Sequence, residues 1–135
     1  MFLEDEPPPN AALIEYIPDM QILDLSNYSK QYPDRLLDIL LQFHQVRVLH
    51  GDPYPRNMMI RQGQGCQGQK GRALWIDFDK AQTLPIDQPL TARNEKWFRL
   101  EVDLMQYFAE NLVCLLILYL ALTDCHGPKI MKRAS

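Results

Sequence analysis

The sequence predicts an α+β fold in which helices predominate and a small β-hairpin supplies the sheet. Apolar residues recur at helical spacing in two segments, over residues 34–46 and from residue 97 onwards. Between these segments, two short apolar runs flank a glycine-rich stretch, a pattern typical of a hairpin. The chain has 135 residues, of which 47% are hydrophobic and 23% charged, and this composition suits one small globular domain.

The first residues, 1–10, are acidic and proline-rich, and we expect them to be disordered. They lack the positive and apolar regions of a secretory signal, so we expect a cytoplasmic, or else nuclear, protein that is not secreted. The stretch AALIEYIPDM follows and is broken by Pro18, which predicts an edge strand or an extended connector. The folded unit is expected over residues 11–122, and a polar tail over residues 123–135.

The first helix is predicted over residues 34–46, with Pro33 and Asp34 as its start signal. After it, MMIR and ALWIDF are the predicted strands of the hairpin, and RQGQGCQGQKGR is its tip, where we expect no chemistry. A second long helix is predicted from Trp97, and it merges with the apolar run of residues 112–122.

That apolar run could be a buried core helix or a membrane span. A span needs roughly 20 apolar residues, and the run has about half of that number, so a buried helix and no membrane partner are expected. The three cysteines show no CxxC spacing, which predicts neither a zinc site nor a disulfide framework. A net charge of -3 argues against a nucleic-acid partner.

Acidic and amide side chains cluster where the regular elements end. Asp52 and Asn57 lie in the loop HGDPYPRN, and Asp77 follows the second strand of the hairpin. Because a hairpin returns the chain to its starting edge, these three residues are expected to converge. Two carboxylates and an amide oxygen suit Mg²⁺ with bound phosphates, which predicts phosphoryl transfer. The competing interpretation is turn chemistry alone, since Asp, Asn and Pro favour turns.

Three segments resemble motifs of the protein kinase-like superfamily and occur in the order of that superfamily. HGDPYPRN resembles the His-x-Asp-x-x-x-x-Asn catalytic loop, WIDFD resembles the metal-binding Asp-Phe-Gly segment, and LIEYI resembles the hinge between the two lobes. The His-Gly-Asp form is similar to that of aminoglycoside and choline kinase-like enzymes and of fungal kinase-like proteins. The resemblance implies the mainly helical C-terminal lobe of this fold.

The resemblance also implies roles for individual residues. Asp52 would orient or accept the proton of an acceptor hydroxyl, and Asn57 with Asp77 would hold Mg²⁺ against the phosphates of ATP. The following residues would support the site: Glu15, Ile17 and Met59 around the adenine, and His50 and Asp103 as braces of the catalytic loop. A satisfied core or loop histidine is the plainer interpretation of His50. The acceptor would be a protein or a small molecule that carries a hydroxyl group.

Some features depart from the family pattern. Gly51 replaces the arginine that pairs with a phosphorylated activation loop, Asp79 stands where protein kinases have glycine, and no Ala-Pro-Glu segment follows. No glycine-rich loop or strand lysine precedes the hinge, so the N-terminal lobe is expected to be absent. We therefore expect this chain alone to transfer phosphate poorly or not at all.

Two other functions remain open. One is a catalytically silent fragment that binds a protein partner through the apolar surface that the other lobe would cover. The other is a haloacid dehalogenase-like phosphatase, because WIDFD contains the Asp-x-Asp pattern of that family. Ala81 replaces the threonine which that pattern requires, and the chain after Asp79 is short for its fold.

Overall fold

The computed structural model describes residues 14–63 and 71–124. The expected disordered N-terminus, the hairpin tip with Cys66, and most of the expected tail with Cys125 lie outside the described residues. The elements in chain order are β1 (Gln21–Ile22), α1 (Gln31–Gln45), β2 (Val48–Leu49), a 3₁₀ turn (Pro55–Asn57), β3 (Met58–Arg61), β4 (Arg72–Trp75), β5 (Gln82–Thr83) and α2 (Ala92–Asp124). The predicted α+β class is confirmed.

Helix α1 forms where the apolar periodicity predicts it. Leu36 and Leu40, one turn apart, are fully buried, and the carbonyl of Leu36 accepts a hydrogen bond from the indole Nε1–H of Trp75 at 2.8 Å. The helix begins at Gln31, three residues earlier than predicted, because Pro33 is tolerated within a first turn whose N–H groups have no partner in the helix.

The main sheet has the strand order β1-β3-β4, and the predicted hairpin is its β3–β4 pair. The two strands are antiparallel, with Met58 opposite Trp75 and Arg61 opposite Arg72. Met58 and Ile60 are fully buried against α1, whereas Met59 between them is only half-buried. Strand alternation therefore turns Met59 to the face of the sheet away from the core.

The edge strand lies later than the sequence suggested. Residues 14–17 contain no helix or strand, and the edge strand β1 begins at Gln21, after Pro18, where it pairs with β3. Of the two alternatives for AALIEYIPDM, the extended connector describes residues 14–17.

A second, two-stranded sheet returns the chain to the loop that follows α1. Val48 of β2 pairs with Thr83 of β5, and Leu49 pairs with Gln82. The N–H of Leu84 also donates to the carbonyl of Arg47 at 2.9 Å. This pairing brings the segment after β4 back against the start of the loop that contains Asp52.

Among the described residues, helix α2 packs on the core cluster only as far as Leu112. Met105 is buried at 1% exposure, and Phe108 and Leu112 pack against the core cluster. The prediction of a buried helix over residues 112–122 is wrong, because most side chains from Val113 to Tyr119 are exposed. The reason is length: 33 residues span about 50 Å and the 15 residues of α1 about 22 Å, so α2 extends past its neighbour.

One helix of the described residues is long and apolar enough to cross a membrane. It covers Ala92–Ala121, and its most apolar window has a mean hydropathy of 1.6 with 6% of that window buried. This property rests on length and composition alone, and the core helix of a soluble protein can share it. The expectation of no membrane partner stays a prediction.

Candidate active site

The loop between β2 and β3 carries the candidate catalytic residues. It leaves β2 through Gly51, whose φ of 79° lies in the left-handed region. A Cβ at this position would lie 2.2 Å from the backbone oxygen of Lys80. Glycine is therefore required here for two reasons, its conformation and the close approach of the segment after β4.

The carboxylate of Asp52 is buried and fully engaged in charged contacts. The Nη2 of Arg56 donates to both of its oxygens, at 2.7 and 2.6 Å, and the Nζ of Lys80 lies 3.7 Å from Oδ2. The side chain of Asp52 is 5% exposed, whereas those of Arg56 and Lys80 are 58% and 60% exposed. A buried acid is thus covered by two cations that face solvent.

Burial of Asp52 favours its neutral form, but the hydrogen bonds and charge of Arg56, with help from Lys80 and Asn57, outweigh this effect. The pKa of Asp52 is therefore lowered from its ordinary value of 3.8. The group is a carboxylate at neutral pH, which is the form that can accept a hydrogen bond from an acceptor hydroxyl.

Asn57 ties this loop to the hairpin. Its Nδ2 donates to the backbone oxygen of Asp52 at 2.9 Å and to the Asp52 carboxylate at 3.2 Å. The backbone carbonyl of Asn57 accepts from the N–H of Ile76 at 3.1 Å. Asp77 follows directly, is exposed, and has a φ of 63°. The structure therefore brings Asp52 and Asn57 into contact and places Asp77 one residue after the partner of Asn57, and the convergence of all three side chains stays a prediction.

The donor set of Asn57 and Asp77 fits a hard cation. The Nδ2 of Asn57 donates to Asp52, so its Oδ1 is the side-chain atom that would face a cation, and the exposed Asp77 would add a carboxylate. Among the described residues, no group of three His, Cys, Asp or Glu side chains could hold a metal by itself. Two oxygen donors are what Mg²⁺ uses when phosphates and water complete its shell.

His50 is fully buried and holds the loop against the hairpin. Its Nε2–H donates to the carbonyl of Ile76 at 3.1 Å, and its Nδ1 accepts from the N–H of Asp52 at 3.3 Å. Its ring lies between those of Trp75 and Phe78, with centroids 5.1 and 4.6 Å away. Burial lowers the pKa of His50 from 6.5, although Glu101 opposes the shift. These contacts place His50 between the loop and the hairpin, and its supporting role toward the site stays a prediction.

Glu101, not Asp103, braces the loop from α2. Its Oε1 accepts from the N–H of Gly51 at 2.7 Å, and its Oε2 accepts from the N–H of His50 at 3.2 Å and from the Nε2 of His44 at 2.8 Å. Asp103 is exposed. Two residues along a helix turn the side chain by about 200°, so Asp103 faces away from the loop. Met105, one turn after Glu101, is buried, so Glu101 lies on the face of α2 that packs against the rest of the fold.

Two of the residues expected around a nucleotide, Glu15 and Met59, lie beside the β3–β4 pair of the main sheet. The carboxylate of Glu15 pairs with Arg72 of β4 at 2.7 Å, which attaches the hinge-like segment to the hairpin. Ile17 is buried, and Met59 is half-buried on the face away from the core. The structure thus places Glu15 and Met59 beside the same strand pair, and their roles toward adenine stay predictions.

A buried acid on a His-Gly-Asp loop, an adjacent amide and a second acid after the hairpin are the arrangement of a kinase-like phosphotransferase. The sequence model of the Lipopolysaccharide kinase (Kdo/WaaP) family matches residues 29–112, more than half of the chain, so the chain belongs to this family and to the protein kinase-like superfamily. No curated protein and no solved structure matches the chain.

Proposed function

We propose that the chain binds Mg·ATP and transfers its γ-phosphoryl group to a hydroxyl acceptor, with Asp52 as the residue that orients the hydroxyl and takes its proton. One observation carries this proposal. The side chain of Asn57 donates to the buried carboxylate of Asp52, and its backbone carbonyl accepts from the N–H of Ile76, the residue before Asp77. A base and a cation site are therefore joined through a single residue. Membership of the kinase family supports the same reaction class.

Asn57 and Asp77 would hold Mg²⁺, whose charge would neutralise the phosphate oxygens during transfer. Glu15 and Ile17 would offer backbone groups to the adenine, and Met59 would form the floor under it. Transfer by this chain is expected to be slow, because Arg56 occupies both oxygens of Asp52 and must move before a hydroxyl can approach.

Titration calorimetry with Mg·ATP tests the proposal directly. We expect micromolar binding that Asp77→Asn weakens by about tenfold or more, since the variant removes one charged ligand of the cation. Asp87→Asn is the matched control, because Asp87 is also an exposed loop aspartate and has no place in the site. Absence of binding to the unchanged chain, or equal loss in both variants, would contradict the proposal.

A second candidate function is a catalytically silent module that binds a protein partner. The specific observation in its favour is the hinge-like segment, where Ile14 and Tyr16 are 83% and 86% exposed. Apolar side chains this exposed are typical of contact surfaces when they occur together. The same calorimetry separates the candidates, since a silent module would show no Asp77-dependent binding of Mg·ATP.

A further inference from the structure

A cavity of about 280 Å³ lies between the loop of Asp52 and the first turns of α2. Leu49, Pro53 and Tyr54 form one wall, and Trp97, Leu100 and Leu104 form the other. Its size is slightly below that of most ligand pockets, which measure about 300–1,000 Å³, and suits one ring or a short aliphatic chain.

The wall from α2 is mostly apolar although it is open to solvent, and Glu101, whose carboxylate is bonded to the loop, is its one acidic residue. Trp97, Leu100 and Leu104 follow one another at helical spacing and share the face of α2 that meets the loop. Leu100 is 51% exposed. A ligand with an apolar body would remove this surface from water, which is the main favourable contribution to binding in such a cavity.

The cavity is adjacent to Asp52, which does not itself line it. Both chain neighbours of Asp52, Gly51 and Pro53, line it. The ring of Tyr54 forms part of its wall and carries the guanidinium of Arg56 at 5.0 Å from the ring centroid. The same guanidinium binds the Asp52 carboxylate at 2.6 Å. A ligand against Tyr54 that extends past Arg56 would therefore reach the candidate base.

We propose that this cavity is the acceptor subsite and that the acceptor is a small alcohol whose hydroxyl is attached to an apolar, ring-sized group. The inference rests on the proposed phosphotransferase function and adds the substrate class. The apolar group fills the cavity, and the hydroxyl takes the position at Asp52 that Arg56 holds in the free protein.

The reaction then balances without a further reactant. The hydroxyl oxygen forms a bond to the γ-phosphorus of ATP while the bond from that phosphorus to the β,γ-bridging oxygen breaks. The hydroxyl proton passes to the Asp52 carboxylate, and the products are ADP and a phosphate monoester. Arg56, released from Asp52, stays beside the transferred group as a counter-charge.

Fluorine NMR with para-fluorobenzyl alcohol tests the subsite on the full chain, without nucleotide. We expect saturable binding to the unchanged chain, weakened about tenfold or more by Leu100→Glu, which puts a charge into the apolar wall. Leu41→Glu is the matched control, since Leu41 is a similarly exposed helix leucine that does not line the cavity, and it should bind as the unchanged chain does.

The outcomes separate this inference from the function on which it rests. Binding of Mg·ATP with no saturable binding of the alcohol, or with equal binding to the Leu100→Glu variant, overturns the subsite and leaves the proposed function intact. Binding of the alcohol without binding of Mg·ATP overturns the role of the cavity as an acceptor subsite. Where turnover is measured, Leu100→Glu should raise the KM for the alcohol about tenfold and leave that for Mg·ATP unchanged.

Discussion

The carboxylate of Glu101 accepts the backbone N–H of Gly51 at 2.7 Å, so helix α2 holds the loop of Asp52 through an acid fifty residues further along the chain. The same carboxylate accepts from His50 and His44. Three donors on two other elements thus converge on one buried acid. The shape of the candidate catalytic loop depends on α2 as much as on its own prolines.

Replacement of Glu101 by glutamine should destabilise the protein. An amide group keeps one acceptor oxygen, so at least one of the buried N–H groups of His50 and Gly51 loses its partner, at a cost of about 1–3 kcal/mol. Urea unfolding followed by circular dichroism measures the loss. Asp103→Asn is the control, and as an exposed change it should stay within about 0.5 kcal/mol. Equal losses in the two variants would contradict the assignment of Glu101 as the brace.

Stability should fall as the pH decreases, in two separate ranges. Burial lowers the folded-state pKa of His50 below 6.5, so the unfolded chain binds more protons between that pKa and 6.5. Burial would raise the pKa of Glu101, but hydrogen bonds from His44, Gly51 and His50 outweigh it and lower that pKa below 4.5. Each group stabilises the fold fully above its unfolded-state pKa, and this contribution is lost as the pH falls through the folded-state pKa.

Urea unfolding at a series of pH values measures both ranges. The first loss should begin below about 6.5 and should be absent from a His50→Gln variant, because glutamine does not titrate. The second should begin below about 4.5 and should be smaller in Glu101→Gln. A stability that is constant between pH 7 and pH 5 would contradict the buried, neutral state of His50.

Local signals in the sequence were sufficient for much of the fold and for part of the site. The periodicity of Leu36 and Leu40 located α1, and the paired apolar runs located the hairpin. The closeness of Asn57 to the end of β4 followed from hairpin geometry alone. These features depend on residues that are close in sequence or are joined by one antiparallel pair.

Contacts between distant elements were not predicted. Glu101 was missed in favour of Asp103, because the choice depends on which face of α2 meets the loop, and that face is set by packing against α1. The contact of Lys80 with Asp52 was also missed, since the pairing of β5 with β2 brings Lys80 to the loop. The apolar run after Leu112 looked buried because composition does not reveal where a neighbouring helix ends.

Replacement of Gly51 by alanine should destabilise the fold by more than the left-handed backbone penalty of about 1–2 kcal/mol. The added Cβ would also lie 2.2 Å from the backbone oxygen of Lys80, in the turn before β5, so this backbone segment would have to move. Gly71→Ala is the comparison, because its Cβ would meet the hydroxyl end of Tyr32 and no positive φ is required there. A smaller loss at Gly51 than at Gly71, in urea unfolding, would contradict this account.

Substitutions of Asp77 should affect stability and nucleotide binding differently. Its φ of 63° favours glycine over alanine, so Asp77→Gly should be more stable than Asp77→Ala by about 1 kcal/mol, while both variants lose the binding of Mg·ATP. Asp87 is the control position, because it is not one of the residues with a positive φ. There the order should be reversed or absent, because glycine adds freedom to the unfolded chain, and nucleotide binding should be kept. Thermal unfolding and calorimetry on the four variants measure both effects. If Asp77→Gly bound Mg·ATP as the unchanged chain does, Asp77 would be a turn residue and not a cation ligand.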